Sequence, residues 1–221
     1  MKGGLAAALV AAHRLDRMPW AGRVVVAAVA DEENLSQGMV DVLGALSADA
    51  AVVTEPTELE VVTAHRGFAW LTVTAHGVAA HGSRPHLGVD AIVAIGPVLT
   101  GLGELQARLA ANVHPLLGPA TVHASLIEGG KEASTIPDRC VLVVERRTLP
   151  GESGAAVLAE LESVVDGARA AMPEARFEVT LDVVREPLET PVDHPLVAAA
   201  LTAREEVVGA VGVPVGASLW A

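Results

Sequence analysis

The chain has 221 residues, enough for one large domain or two small ones with a real core. Acidic side chains outnumber basic ones 27 to 15, a formal charge of −12. That balance argues against nucleic acid and against an anionic membrane surface, both of which are met with Lys and Arg. Mean hydropathy is +0.44, yet the apolar mass is Ala and Val spread along the chain. No uncharged apolar run approaches the roughly 18 residues of a bilayer span. The lone Cys140 gives no internal disulfide. Met1-Lys2-Gly3-Gly4-Leu5 lacks the small-residue cleavage site of a secretory signal. A cytoplasmic location is the expectation.

The first 60 residues read as α/β. Leu5, Ala8, Leu9, Ala12 and Leu15 recur at helical spacing, and Pro19 stops the pattern. Arg23 to Ala30 is a short apolar run of the kind buried on both faces of a parallel sheet, and it ends in Asp31-Glu32-Glu33. Ser36 is placed to cap a helix carrying Met39, Val42, Leu43 and Leu46. A second apolar run, Ala50 to Thr54, ends in Glu55-Pro56. The order strand, helix, strand is that of a βαβ unit.

From about His65 alternation takes over. Phe68–Thr74, Thr121–Ile127, Arg139–Arg147 and Phe177–Val184 read as strands, with Gly129-Gly130 as a turn. Asp90–Ala111 reads as a helix with a kink or break at Pro97, and Val157, Leu161, Val164 and Ala168 mark another helix ending at Met172-Pro173. The order β-α-β-β-α-β predicts a ferredoxin-like unit, a four-stranded antiparallel sheet with both helices on one face. Asp193 and Pro195 open a last helix through about Val208. The unit at 65–180 therefore interrupts an α/β domain made of 1–64 and 181–221.

Glu32, Glu33 and Glu55 follow the carboxyl ends of two expected parallel strands, where ligands sit in open α/β sheets. Three carboxylates in one crevice repel unless positive charge is supplied, and no Lys or Arg lies in either loop. A divalent metal ion meets that need; three solvated loop acids are the alternative. His81 lies in a Gly- and Pro-punctuated loop, the kind that presents side chains rather than burying them. Arg147 shares a strand face with Val143 and Glu145, where it either pairs near Glu145 or clamps a substrate carboxylate.

Together these segments resemble the co-catalytic zinc metallopeptidase family of acetylornithine deacetylase, succinyl-diaminopimelate desuccinylase, aminoacylase and glutamate carboxypeptidase. Met1-Lys2-Gly3-Gly4 looks like the tail of its D-M-K-G-G motif, and Asp31 through Gly38 is similar to D-E-E-x-x-S-x-G. Thr54-Glu55-Pro56-Thr57, His65-Arg66-Gly67, Gly77 through Gly88, Ser134 through Asp138 and Glu145 through Glu152 resemble further family segments in order.

The resemblance implies the fold class: a partial zinc-peptidase α/β domain with an inserted ferredoxin-like βαββαβ lid and dimerisation domain at 65–180. It implies hydrolysis of an amide bond in an N-acyl amino acid or small peptide with a free carboxylate. Glu32 is then the general base, Glu33 and Glu55 ligate two divalent metal ions (zinc, or cobalt or manganese), and His81 reaches from the lid of a second subunit to the oxyanion. Arg147 holds the substrate carboxylate and Thr135 contacts substrate, the enzyme being a homodimer.

Two of the five expected ligands are present, so the resemblance also implies an internal fragment that binds zinc poorly and turns over nothing. A non-catalytic dimerisation or interaction module is the competing expectation. The α/β portion is expected to expose apolar sheet edges, and the 65–180 unit to be the stable part.

Overall fold

A computed structural model describes residues 2–31 and 36–217. The chain divides into two compact units. One holds residues 2–31 and 36–61 with Ala198–Gly212, and the other holds Val62–Val197 with residues 213–217.

In the first unit, helix α1 (Lys2–Leu15) is followed by Asp16 and Met18, whose amides still bond back to Ala12 and Leu15. His13 and Arg14 in its last turn complement the helix dipole. A Cβ on Gly4 would meet the Thr54 carbonyl inside 3.0 Å, so glycine is what lets α1 lie directly against residue 54. Helix α2 (Gln37–Ala45) repeats the device, with Gly38 against the Ala30 backbone. Ser36 does stand at the N-cap, but with φ 55°. Its backbone carbonyl, rather than its hydroxyl, receives Met39 N at 3.0 Å and Val40 N at 3.1 Å.

The two apolar runs expected as buried strands form no ladder. Neither residues 23–30 nor residues 50–54 form a strand, and Val25 and Val52 are 50% and 71% exposed. A strand exists only where a neighbour offers N–H and C=O groups about 4.8 Å away. Among the described residues, nothing offers them to either run.

The second unit begins with β1 (Val62–His65) and β2 (Gly67–His76). A short β3 (Ala80–His81) and a single 3-10 turn (Pro85–Leu87) lead into α3 (Ala91–Leu109). Asp90 caps α3 by accepting Ile92 N and Val93 N at 2.9 and 3.0 Å, and the helix runs unbroken through Pro97. A minimal hairpin of β4 (Val113–His114) and β5 (Gly118–Pro119) precedes β6 (Thr121–Gly129), β7 (Thr135–Ile136) and β8 (Arg139–Thr148). Ser153 caps α4 (Gly154–Ala171), and β9 (Arg176–Arg185) and β10 (Leu188–Glu189) follow. Helix α5 (Pro195–Val208) and β11 (Val215–Ala217) complete the elements.

The main sheet has the order β6-β8-β2-β9, every pair antiparallel. In chain order its strands are first, second, third and fourth as β2, β6, β8 and β9, which is the ferredoxin-like arrangement expected from the alternation. Alternate residues Ala69, Leu71, Val73 and Ala75 of β2 and Cys140, Leu142 and Val144 of β8 are buried. They form one core with Ile95, Val98 and Leu102 of α3 and Val157, Leu161 and Val165 of α4. A second sheet, β10-β1-β11, sets β1 parallel to β11 and antiparallel to β10.

The same alternation carries Arg146 into the core, where it is 1% exposed. Its guanidinium bonds Glu152 Oε1 at 2.7 Å, Glu160 Oε2 at 3.1 Å and the Arg147 carbonyl at 2.6 Å. Glu152 also accepts Leu149 N at 2.7 Å. One buried cation thus ties β8, the turn after it and α4 together. A buried charge is tolerable only when paired in this way.

Candidate active site

Each candidate residue owes its place to a different local device. Glu32 and Glu33 lie outside the described residues. The backbone on either side of them closes on itself, with Ser36 N on the Asp31 carbonyl at 2.7 Å. Asp31 and Ser36 both have φ in the left-handed region, at 64° and 55°.

Glu55 is half-buried and opens a tight turn. Thr57 N donates to its carbonyl at 2.9 Å, and Thr57 Oγ1 and Glu60 N tie Thr57 to Glu60. Glu58 and Leu59 are both left-handed (φ 56° and 65°), a conformation that costs non-glycine residues free energy. Arg204 of α5 supplies compensation. Its Nε donates to the Leu59 carbonyl at 2.9 Å and its Nη2 to Glu60 Oε1 at 2.6 Å.

His81 and Thr135, remote in sequence, are direct cross-strand partners in the β3–β7 ladder. Gly82 N extends the pairing to the Ser134 carbonyl at 2.8 Å. The loop is closed behind them by Gly77 N on Asp138 O at 2.9 Å and by the Val78–Val89 bridge. A Cβ on Gly77 would run into the Val89 carbonyl, so the loop's entry is built on a residue without a side chain. His81 is exposed and borders a shallow depression lined by Ala79, Ala80, Ser83, Arg84 and Leu87. Thr135 Oγ1 bonds Glu132 Oε1 at 2.6 Å.

Arg147 lies on the sheet face opposite to Arg146, paired in register with Phe68. Its guanidinium sits 5.6 Å from the Phe68 ring centroid and 3.4 Å from Glu145 Oε1. Glu145 also accepts Trp70 Nε1 at 3.3 Å. The neighbouring arginines of Glu145-Arg146-Arg147 therefore do opposite work, one inside the core and one on the open face. Arg146 is the residue that reading the motif missed. Its signal was in the sequence, because it continues the inward series Cys140, Leu142, Val144.

Among the described residues, no group of three or more His, Cys, Asp or Glu is placed to hold a metal ion. Glu55 is the one expected ligand described, and a single carboxylate does not fit a two-metal centre.

Residues 63–172 match the M20 peptidase dimerisation domain, so the βαββαβ unit is of that class. Curated relatives extend the match to both units. Acetylornithine deacetylase of Vibrio vulnificus is 31% identical over 212 residues, covering 89% of this chain and 53% of that protein. The enzyme of the same name from Proteus mirabilis is 29% identical over 208 residues, covering 90% and 52%. Among solved structures, aminopeptidase PepT from Bacillus cereus superposes with a TM-score of 0.60 at 20% identity, over 80% of this chain and 43% of that one. A tripeptidase from Staphylococcus aureus gives 0.57 at 17% identity, over 78% and 42%. The chain belongs to the M20 peptidase and amidohydrolase family. It spans about half the length of the curated relatives it matches. No helix among the described residues is long and apolar enough to cross a membrane.

Proposed function

We propose that this chain contributes the lid and part of the catalytic α/β domain to a zinc-dependent hydrolase of N-acyl amino acids or small peptides. The proposal is for a polypeptide of the relatives' length, working as a cytoplasmic homodimer. The observation that carries it is the His81–Thr135 pairing. Two residues that the family resemblance singled out separately, on segments far apart, share one rung of a ladder at an exposed loop.

In this reading Glu32 takes the proton of the attacking water and His81 of the partner copy's lid donates to the oxyanion. Arg147 faces the substrate carboxylate and Thr135 lies beside the substrate. Glu33 and Glu55 would be the ligands this segment contributes to a zinc pair, which when bound would polarise the carbonyl and acidify water. The described residues do not by themselves complete that centre. Domain roles follow: 65–180 as lid and dimerisation domain, and 1–64 with 181–221 as the catalytic portion.

Among the described residues strand β6 pairs only with β8, leaving its other edge open, and Leu126 and Ile127 on it are 68% and 55% exposed. On α3, Ile92 and Leu99 are exposed along a line with Gly96 and Gly103, above which there is open space. An open edge flanked by a smooth apolar helix stripe suits a two-fold pairing with its own copy.

A Glu32→Gln variant of the full-length enzyme should keep its zinc and lose hydrolysis of N-acyl amino acids by orders of magnitude. Undiminished turnover would overturn the assignment. The competing reading, a non-catalytic dimerisation module, is favoured by the self-contained core of the second unit. Hydrolysis by the full-length protein excludes it.

A further inference from the structure

The His81 side chain is not simply presented by its loop; its ring is held at one nitrogen. Nδ1 lies 2.8 Å from Ser83 Oγ and 3.2 Å from the Ser83 backbone N. The hydroxyl contact alone leaves the ring's proton undecided, since a hydroxyl donates or accepts. The backbone N–H decides it, because that group can only donate. An Nδ1 receiving an N–H bond is unprotonated, so the Ser83 hydroxyl must donate to it as well. In the neutral imidazole the proton then sits on Nε2, the nitrogen at the far side of the ring.

The backbone explains why Ser83 N–H is available. His81 carbonyl accepts Arg84 N at 2.8 Å, closing a four-residue turn from 81 to 84. Within such a turn the third residue's N–H has no backbone partner and is met by the side chain of the first. Asp and Asn do this in Asx-turns, and here the imidazole Nδ1 takes the carboxamide oxygen's place. The turn is itself anchored by the His81–Thr135 rung and by Gly82 N on Ser134 O. The ring therefore inherits its orientation from the ladder.

We propose that Ser83 is the positioning residue of His81, fixing the neutral ring as the Nε2–H tautomer so that it arrives at its target as a hydrogen-bond donor. This rests on the reading of His81 as the oxyanion donor and supplies what that reading lacks, a reason for the proton to be on the outward nitrogen. An Nδ1–H ring in the same place would present a bare lone pair to a developing negative charge, which is repulsive.

Ring nitrogen NMR on the 221-residue chain, 15N-labelled at histidine and serine and held above the histidine titration range, tests this without substrate or metal. The expected spectrum for His81 is a single Nε2–H tautomer, with a through-hydrogen-bond 15N–15N coupling between Nδ1 and the Ser83 amide. Ser83→Ala keeps the backbone N–H and so should keep the Nε2–H form in excess, but loss of the shorter hydroxyl bond should shift the Nδ1 resonance and let a minor share of the second tautomer appear, while Ser83→Thr should restore the original spectrum. Amide spectra outside the loop report whether the fold is kept. A tautomer mixture in the wild-type chain, or Nδ1 shifts untouched by Ser83→Ala, would overturn the proposal. Since the readout needs no catalysis, it stands or falls separately from the oxyanion role.

Discussion

The two units of this chain use similar residues to opposite effect. In the second unit, α3 buries seven residues and α4 five against the four-stranded sheet, and the inward residues of β2 and β8 are almost wholly hidden. In the first, α1 and α2 bury none, and valines of both apolar runs stand exposed. Composition does not distinguish them, since Arg23–Ala30 is as apolar as any strand of the sheet. Pairing does. An apolar run becomes a strand only when hydrogen-bonded neighbours flank it, whereas a βαββαβ unit brings its own neighbours.

The widest expected gap is in local stability. Native-state hydrogen exchange should show Leu71, Val73, Leu142 and Val144 amides opening only with the whole unit, while those of α1 and α2 open locally. A difference in protection on the order of a thousand-fold is expected. Comparable protection in both regions would erase the contrast.

Next in size is the buried Arg146 network. Arg146→Ala removes the buried cation shared by the half-buried Glu152 and Glu160, leaves a void in the core and should cost about 3–5 kcal/mol in urea unfolding. Arg169, bound to Glu162 and Asp166 on the exposed face of α4, is the control; Arg169→Ala should cost less than about 1 kcal/mol. Equal losses would show that the depth of Arg146 does not matter.

A smaller effect concerns His65 of β1, which is 8% exposed. Burial pushes its pKa below the ordinary histidine value, against the opposing effect of its bond to the Arg66 carbonyl. The folded state then holds fewer protons than the unfolded one just below pH 6.5. Stability from this site should be complete above that pH and decline as the pH falls toward the folded pKa. His65→Gln should flatten the dependence of the urea midpoint between pH 7.5 and 5, and an unchanged slope would contradict it.

The sheet was legible because Phe68–Thr74 and Arg139–Arg147 alternate and α3 and α4 repeat at helical spacing, signals that local sequence carries in full. The βαβ reading of the first 60 residues failed where it relied on partners: Val24–Val29 and Val52–Val53 look like strands but cannot pair with themselves. Ser36 was placed correctly as the cap, while its left-handed backbone and its capping through the carbonyl accompany a bond from its own N–H to the Asp31 carbonyl that local pattern does not announce. The site divides in the same way. His81 was legible as a residue on a presenting loop, but a two-residue ladder has no periodicity to detect. Its partnership with Thr135 and the grip of Ser83 on its ring therefore had to come from the folded backbone. Arg204 is further still from Glu55 in sequence, and nothing local announces it.

In the proposed enzyme the lid half of one copy serves the catalytic half of another. Mixing Glu32→Gln and His81→Ala protomers of the full-length enzyme, each inactive alone, measures this. If His81 acts across the dimer, heterodimers contain one site with both groups intact, and mixing should restore a substantial fraction of turnover. A mixture no more active than its components, with subunit exchange confirmed, would contradict it.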